Sequence, residues 1–218
     1  NNKLCDILVI NETKLCPLVD DSHFENNNYQ AYRRDRPNGK GGGIMVYVKK
    51  NINHYNVTLH KVIEMISLTF EPIPGKKKVS LLACYRPPHY ENEDLFFKEL
   101  ELEVLKADRE SSETIIAGDC NYNMLESKNK LGDFAYDHGF NNTIKKGTRL
   151  NPKTMISTLI DVIFCYCIRD LVSSEVFSCP FSDHSLAVAV FDYKKATFKS
   201  EGVPKRYLGE KRVDEINH

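Results

Sequence analysis

The stretch Ile115-Ile116-Ala117-Gly118-Asp119-Cys120-Asn121 decides the fold, because a wholly apolar run ends abruptly in polar side chains. The run predicts a β-strand that is buried on both faces. Gly118 frees the backbone at the strand end, and Asp119 and Asn121, two residues apart, then point to one side. A carboxylate beside an amide can hold a water and a phosphate oxygen together, although a capped turn would use the same residues.

Similar apolar runs recur along the chain and predict a strand-rich protein. Several are apolar at every position, which favours sheets covered on both faces: Ile7–Ile10, Leu81–Cys84 and Leu186–Val190. Two helices are predicted, over Asn92–Lys106 and Glu126–His138, because each has one apolar face. Two packed sheets with outer helices fit this pattern best. The predicted strands are Ile7–Ile10, Ile44–Val48, Val62–Phe70, Val79–Cys84, Thr114–Ala117, Leu159–Cys165, Glu175–Phe177 and Leu186–Phe191.

Composition limits the class of protein. With 218 residues, 41% of them hydrophobic, the chain is long enough to bury a core without a disulfide or a structural metal. No apolar run approaches the roughly 20 residues of a membrane helix, and the first residues lack the apolar segment of a secretory signal. The seven cysteines include no Cys-x-x-Cys pair, which favours small buried thiols in a reducing compartment. That interpretation covers Cys5, Cys84, Cys120, Cys165 and Cys167.

Charge is balanced overall but separated along the chain. The 30 Lys and Arg cancel the 30 Asp and Glu, so affinity for a nucleic acid has to come from a local patch. One such patch is basic and interleaved with tyrosines, which suits a long polyanion, although a solvated surface would look the same. It contains Arg33, Arg34, Arg36, Lys40, Lys49 and Lys50 between Ala31 and Lys50.

Polar residues follow other predicted strands as well. Glu12 ends the first one and could ligate a hard cation such as Mg²⁺, and Tyr85 ends another with a phenol. Asp161 lies in an apolar strand and needs a donor, because a buried carboxylate without a partner is costly. His184, just before the last strand, is the natural donor and would then take up a proton near neutral pH. Such Asp and His pairs also occur as plain core hydrogen bonds.

Taken together, these motifs resemble the endonuclease/exonuclease/phosphatase superfamily, and within it the apurinic-type endonuclease domain of non-LTR (LINE-type) retrotransposons. The resemblance covers about residues 6–191. The stretch DRPNGKGGGIMVYVKK at 35–50 and YRPP at 85–88 favour that branch over secreted deoxyribonucleases, inositol phosphatases and sphingomyelinases. The matching motifs, in order, are Glu12-Thr13, Arg33 to Arg36, Gly41 to Gly43, Tyr85 to Pro88, Gly118 to Asn121, Thr148-Arg149, Ile160-Asp161 and Ser182-Asp183-His184.

The resemblance implies a DNase I-like four-layer α/β sandwich, with two mainly antiparallel β-sheets packed face to face and helices outside. It implies hydrolysis of a phosphodiester with Mg²⁺ or Mn²⁺, nicking double-stranded DNA so that reverse transcription can start at the freed 3′ hydroxyl. The implied catalytic residues are His184, Asp161, Asp119, Asn121 and Tyr85, and the implied metal ligands are Glu12 and Asp183. The implied DNA-binding residues are Arg33, Arg34, Arg36, Lys40, Arg86, Thr148, Arg149 and Ser182.

The chain departs from the family pattern at two places. The family usually has Phe where this chain has Cys120, which leaves packing slack costing on the order of 1–3 kcal/mol. The family also begins with a strand bearing an asparagine that helps to hold the metal and phosphate, and we expect this strand to be missing before Asn1. We therefore expect residues 1–218 to nick DNA weakly or not at all, compared with a chain in which that strand is restored.

The expected domain spans residues 1–193. Residues 194–218 are polar and basic without a periodic face, which predicts a linker toward a C-terminal reverse transcriptase domain. The expected form is a monomer in the nucleus or cytoplasm, neither secreted nor bound to a membrane. Two alternatives stay open: an impaired remnant that binds DNA or a protein through the same cleft, and a phosphatase acting on small anions.

Overall fold

The described part of the chain forms thirteen β-strands and two α-helices. The computed structural model describes residues 5–37 and 41–193. In chain order the strands are β1 Ile7–Asn11, β2 Tyr29–Arg34, β3 Ile44–Lys49, β4 Asn53–Leu59, β5 Glu64–Ile73, β6 Lys77–Tyr85, β7 Glu113–Asp119, β8 Asn141–Asn142, β9 Arg149–Leu150, β10 Ser157–Thr158, β11 Asp161–Cys165, β12 Leu171–Phe177 and β13 Leu186–Phe191. The helices are α1 Glu93–Glu110 and α2 Lys130–Asp137.

A six-stranded sheet forms the centre of the molecule. Its order is β4-β5-β6-β7-β11-β8, and every neighbouring pair is antiparallel except β6 and β7. A three-stranded antiparallel sheet, β1-β3-β2, packs on one face, and β12 pairs with β13 beside it. Alternate residues of β3 and β5, such as Val46 and Leu68, meet in the apolar core between the layers. The fold is thus an α/β sandwich with two sheets face to face.

Both helices cover the other face of the six-stranded sheet. Helix α1 begins after Asn92, whose side-chain oxygen accepts the backbone N–H of Leu95, and its buried face includes Leu100 and Val104. The shorter α2 buries Leu131 in the same apolar cluster. Helix α1 ends at Glu110, four residues beyond its predicted end at Lys106. The predicted start of α2 was too early, because the chain before Lys130 forms turns instead of helix.

The outer face of the three-stranded sheet has a different cover. A short 3-10 helix, Asp21–Phe24, lies there: the Phe24 carbonyl accepts the Tyr47 hydroxyl at 3.2 Å, and the Arg33 guanidinium lies over the Phe24 ring. Among the described residues, the α-helices thus lie on one side of the sandwich only. No helix in that part of the chain is long and apolar enough to cross a bilayer.

The prediction of two-sided burial was wrong for two strands. Ile10 in β1 is 37% exposed, and Leu186 and Val190 in β13 are 46% and 48% exposed. Both strands use only one face for the core between the sheets, because their other face has no helix packed on it among the described residues. The predicted two-sided burial of Leu81–Cys84 is confirmed in β6, where burial extends from Val79 to Tyr85.

The topology brings the polar strand ends together. Strands β6 and β7 run parallel, so Tyr85 and Asp119 end neighbouring strands at the same edge of the sheet. Strand β11 runs the opposite way and begins at that edge with Asp161, which pairs directly with Asp119. Strand β1 ends above this edge, because Asn11 donates to the Cys84 carbonyl at 3.0 Å. Four elements therefore meet at one place.

Candidate active site

The centre of the site is an acidic pair on two neighbouring strands. Asp119 and Asp161 are directly opposite each other in the antiparallel ladder of β7 and β11. Asp119 is only 3% exposed, whereas the Asp161 side chain keeps 20% of its surface in solvent. Asp161 is therefore less buried than the sequence predicted. Like charges placed so close repel each other, so the pair needs positive charge nearby.

His184 supplies one partner for that pair. Its Nδ1 lies 2.9 Å from Oδ2 and 3.1 Å from Oδ1 of Asp161, so the ring donates to the carboxylate. The loop before β13 is held in place because the backbone N–H of Ser185 donates to the Thr148 carbonyl at 2.6 Å. The predicted Asp161–His184 hydrogen bond is thus present, and it leaves Nε2 of the histidine for chemistry.

Thr148 organises the same corner from inside the protein. Its side chain is fully buried, and its Oγ1 accepts the backbone N–H groups of Ile160 and Asp161 at 3.2 and 3.1 Å. These two bonds fix the start of β11 and with it the direction of the Asp161 carboxylate. The structure therefore gives Thr148 internal partners at the base of the site.

Asn121 and Asn11 fix Asp119 from two sides. The backbone N–H of Asn121 donates to Asp119 Oδ1 at 2.9 Å, and the Asn121 amide donates to the Arg86 carbonyl at 2.9 Å. Asn121 has a φ of 51°, a left-handed conformation that asparagine tolerates better than most residues. Asn11 Oδ1 accepts the backbone N–H of Asp119 at 3.3 Å. The turn after β7 is therefore cross-linked to both β1 and β6.

Glu12 and Tyr85 form the other wall of the site. The Tyr85 hydroxyl donates to Glu12 Oε1 at 2.5 Å, and the Glu12 side chain is 42% exposed. Lys14 approaches the second carboxylate oxygen at 3.7 Å. An exposed carboxylate oriented by one strong hydrogen bond can accept a cation from solvent.

The charges of these residues shift one another's pKa values. Burial, and then the charge of Asp161, raise the pKa of Asp119 to about 7, and Glu12 adds to the increase. Burial and the bond to Glu12 raise the pKa of Tyr85, so this phenol stays protonated. The hydrogen bond to Asp161 raises the pKa of His184 against the opposing effect of burial. The site therefore combines an excess of acid groups with a histidine that favours its cationic form.

This donor set fits a hard divalent cation. One ligand atom each from Asp119, Asp161 and His184 lie within 4.8 Å of one another, and the exposed Glu12 carboxylate belongs to the same electrostatic cluster. Burial, together with the negative charges of Asp161 and Glu12, raises the pKa of Asp119 to about 7, so a cation bound there would favour the ionised carboxylate. Carboxylate oxygens are the ligands that Mg²⁺ prefers. The residues present thus fit the metal that the sequence motifs imply.

The rim of the site contains the Ser182-Asp183-His184 turn and its neighbour Arg149. Arg149 pairs with Asp183 at 2.8 Å, and Ser182 Oγ accepts the backbone N–H of His184 at 3.0 Å. Although partial burial raises the pKa of Asp183, the charge of Arg149 lowers it overall. The Arg149 side chain is 45% exposed, so it can still reach a ligand from the rim.

The arginines of the predicted basic patch have partners within the protein. Arg33 pairs with Asp21 at 2.9 Å, Arg34 donates to the His60 carbonyl at 2.7 Å, and Arg36 donates to Glu64 at 2.8 Å. Lys40 lies outside the described residues. The arginines of β2 and the following loop thus stabilise the protein itself, which sequence spacing alone did not reveal.

Arg86 also has partners inside the protein. It is 6% exposed, its guanidinium lies 4.4 Å from the centre of the Tyr122 ring, and it approaches Glu93 at 3.4 Å. Its backbone carbonyl holds Asn121, as described above. The structure places Arg86 beneath the turn that carries Asn121 instead of at the protein surface.

Two cysteines lie under the site. Cys84 and Cys120 are both fully buried, with their Sγ atoms 3.5 Å apart. Cys120 fills the position where the family usually has Phe. All seven cysteines are free thiols, but the expected burial was wrong for Cys5, which is exposed, and for Cys167, which is partly exposed.

Sequence reasoning missed two polar residues that organise the site. Asn11 joins β1 to both β6 and β7, and Glu64 binds the loop between β2 and β3. Each had a signal: Asn11 directly precedes Glu12, and Glu64 is a lone acid between Ile63 and Met65 in an apolar run. A charged residue in such an apolar run predicts buried partners for that charge.

The sandwich and its site define a class of hydrolase, in which acidic and histidine side chains gather at one end of two packed sheets. Residues 2–184 match the Endonuclease/Exonuclease/phosphatase family, so the chain belongs to that family. Its members are nucleases and phosphatases. The family and the fold predicted from the motifs are confirmed. A search of curated proteins found no match.

Solved structures with the same fold include three informative ones. The endonuclease domain of TRAS1, a telomere-specific non-LTR retrotransposon, is 13% identical with a TM-score of 0.65, and 87% of each chain is covered. The 3′-5′ exonuclease NExo from Neisseria meningitidis is 15% identical with a TM-score of 0.69, covering 88% of this chain and 91% of its own. Truncated Caenorhabditis elegans TDP2 is 16% identical with a TM-score of 0.59, covering 86% and 84%. At these identities the likeness shows the fold.

Proposed function

We propose that this protein is a metal-dependent endonuclease that nicks double-stranded DNA on behalf of a non-LTR retrotransposon. The observation that carries the proposal is the hydrogen-bonded Asp161–His184 pair next to Asp119, with ligand atoms of all three residues within 4.8 Å. The proposed partners are duplex DNA and a C-terminal reverse transcriptase domain. The 3′ hydroxyl at the nick would be the primer from which that domain starts reverse transcription. The family match and the TRAS1 likeness support this choice.

The chain's own residues have separate roles in the proposed reaction. Asp119 accepts a hydrogen bond from the attacking water, because its raised pKa makes it a better proton acceptor than an ordinary aspartate. Asn121 orients the same water or a phosphate oxygen. His184, kept in one orientation by Asp161, acts either as base or as the cation that stabilises the charged phosphate. Tyr85 stays protonated and directs its hydroxyl to Glu12 or to the phosphate.

Mg²⁺ or Mn²⁺, when bound, would neutralise charge on the phosphate. Glu12 is one proposed ligand, with an exposed carboxylate, and Asp183 is a second proposed ligand that would have to leave Arg149. Arg149 and Ser182 stand at the rim, where the DNA backbone would approach. Arg33, Arg34 and Arg36 act through their internal partners unless DNA displaces those bonds.

The substrate class can be tested directly. The protein is incubated with supercoiled plasmid and, in parallel, with a small phosphate ester such as p-nitrophenyl phosphate. The proposal expects open-circular plasmid whose nicks carry 3′ hydroxyls that a polymerase extends, and no release of nitrophenol. Hydrolysis of the ester without nicking would instead support a phosphatase. DNA binding in a gel-shift assay without either reaction would support an inactive binding module.

A further inference from the structure

Glu64 is a buried carboxylate with three partners, and it lies outside the residues assigned above. It is the first residue of β5 and is 8% exposed. Its Oε1 accepts both Nε and Nη2 of Arg36, at 2.8 and 2.5 Å, and its Oε2 accepts the backbone N–H of Gly43 at 2.6 Å. Arg34 adds a guanidinium nitrogen at 3.6 Å. One buried side chain thus joins two arginines and a backbone group.

The Gly43 contact connects Glu64 to the segment that carries Glu12. The Gly43 carbonyl accepts the backbone N–H of Thr13 at 3.3 Å, and the Gly42 carbonyl accepts that of Lys14 at 2.8 Å. Gly43 has a φ of 89°, and a Cβ atom there would lie 2.4 Å from Thr13 Oγ1. The positive φ favours glycine at this position, and any larger residue would also require the Thr13 side chain to move. The position of residues 12–14 therefore depends on where Gly43 is held.

Glu64 also lies beside the other partner of Glu12. Glu64 and Tyr85 are opposite each other in the ladder of β5 and β6, and the Tyr85 hydroxyl donates to Glu12. Glu12 itself has a φ of 52°, an unfavourable left-handed conformation for this residue type that the surrounding bonds must maintain. The backbone of residues 12–14 and the carboxylate of Glu12 are thus fixed by neighbours of one buried acid.

We propose that Glu64 is a positioning residue for metal binding, which holds Glu12 in its ligating orientation through Gly43 and the backbone of Thr13. The inference rests on the proposed function, because it takes Glu12 as a metal ligand. A carboxylate suits this place because its two oxygens match a guanidinium on one side and an N–H on the other. An amide retains one acceptor for the Gly43 N–H but loses the charge that pairs with Arg36.

The test measures binding of Mn²⁺ to the 218-residue chain by the relaxation enhancement of water protons, so that no nuclease activity is needed. Glu64→Ala should weaken Mn²⁺ binding at least fivefold, and Glu64→Gln should weaken it less, because it keeps an acceptor for Gly43. The matched control is Glu103→Gln. Glu103 is a partly buried acid on α1 that faces His60 and Ser67 across the opposite face of β5, and its loss should leave the affinity unchanged.

Glu12→Gln separates the two proposals. If the wild-type chain binds Mn²⁺ and Glu12→Gln weakens binding, but folded Glu64 variants bind like wild type, the positioning role is wrong while the proposed function stands. If wild type shows no Mn²⁺ binding, Glu12 is not a metal ligand in this chain and the positioning role is wrong, while the plasmid assay decides separately on the proposed function. Circular dichroism establishes which variants are folded. If Glu64→Ala does not fold, the Mn²⁺ affinities of Glu64→Gln and Glu103→Gln are compared instead, and equal affinities would show that the positioning role is wrong.

Discussion

Replacing Asp161 by Asn should reduce nicking through its effect on His184. The histidine Nδ1 lies 2.9 and 3.1 Å from the two carboxylate oxygens, and the two side chains are 23% and 20% exposed. A hydrogen bond to a charged group contributes about 1.5–3 kcal/mol. At about 1.4 kcal/mol per tenfold change in rate, Asp161→Asn should slow nicking roughly 10- to 100-fold.

The same change should be visible in the titration of His184. The bond to Asp161 raises the pKa of His184, so removing the negative charge should move that pKa down toward its ordinary value of 6.5. NMR of the histidine ring follows the titration, and initial rates of plasmid nicking follow the activity. His184→Ala should cost a factor of about 10² or more, as expected for lost acid–base help.

A double-mutant cycle shows whether Asp161 acts through His184. Residues that act as one unit are not additive, so Asp161→Asn in the His184→Ala background should slow nicking by less than about threefold further. Fully additive losses would show that the two side chains work independently. A folded His184→Ala protein that nicks at nearly the wild-type rate would refute the catalytic reasoning altogether and leave His184 as a structural residue.

Three further outcomes follow from the structure. Tyr85→Phe removes the hydroxyl that donates to Glu12 at 2.5 Å, so nicking should fall about 10- to 100-fold while thermal unfolding stays close to wild type; an unchanged rate would contradict the contact. All seven cysteines should react with a thiol reagent in denatured, unreduced protein, and a lower count that reductant restores would disprove it. Burial lowers the pKa of His60 in spite of nearby Glu103, so the unfolded chain binds more protons below about pH 6.5 and stability should fall there. Denaturant titrations at pH 7.5 and 5.5 should show a smaller loss for His60→Gln than for wild type.

The polar residues at the strand ends could be predicted, because each lies in a short local motif next to an apolar run. Asp119 and Asn121 follow an apolar run, and Asp161 demands a donor that His184 supplies 23 residues later. What the motifs did not reveal is the cross-strand register that puts Asp119 opposite Asp161. That register comes from the pairing of strands far apart in sequence, which has no local signal.

The parts that sequence reasoning missed depend on tertiary partners. Strands β2 and β4 are rich in polar residues, so no apolar run in the sequence predicted them. They form because they pair with the buried strands β3 and β5. The arginines of β2 were interpreted as a patch for DNA, since their charge is visible in the sequence. Their partners, Asp21 and Glu64, are remote or isolated acids whose proximity only the fold creates.

The most direct measurement of the central claim is the conversion of supercoiled plasmid to open circles with Mg²⁺, with and without chelator. It is made on the protein and on its Asp119→Asn variant, with gel densitometry over time. We expect nicking that the chelator abolishes and that the Asp119→Asn variant lacks. Nicking that persists in the presence of the chelator, or in the variant, would contradict the proposed metal-dependent mechanism.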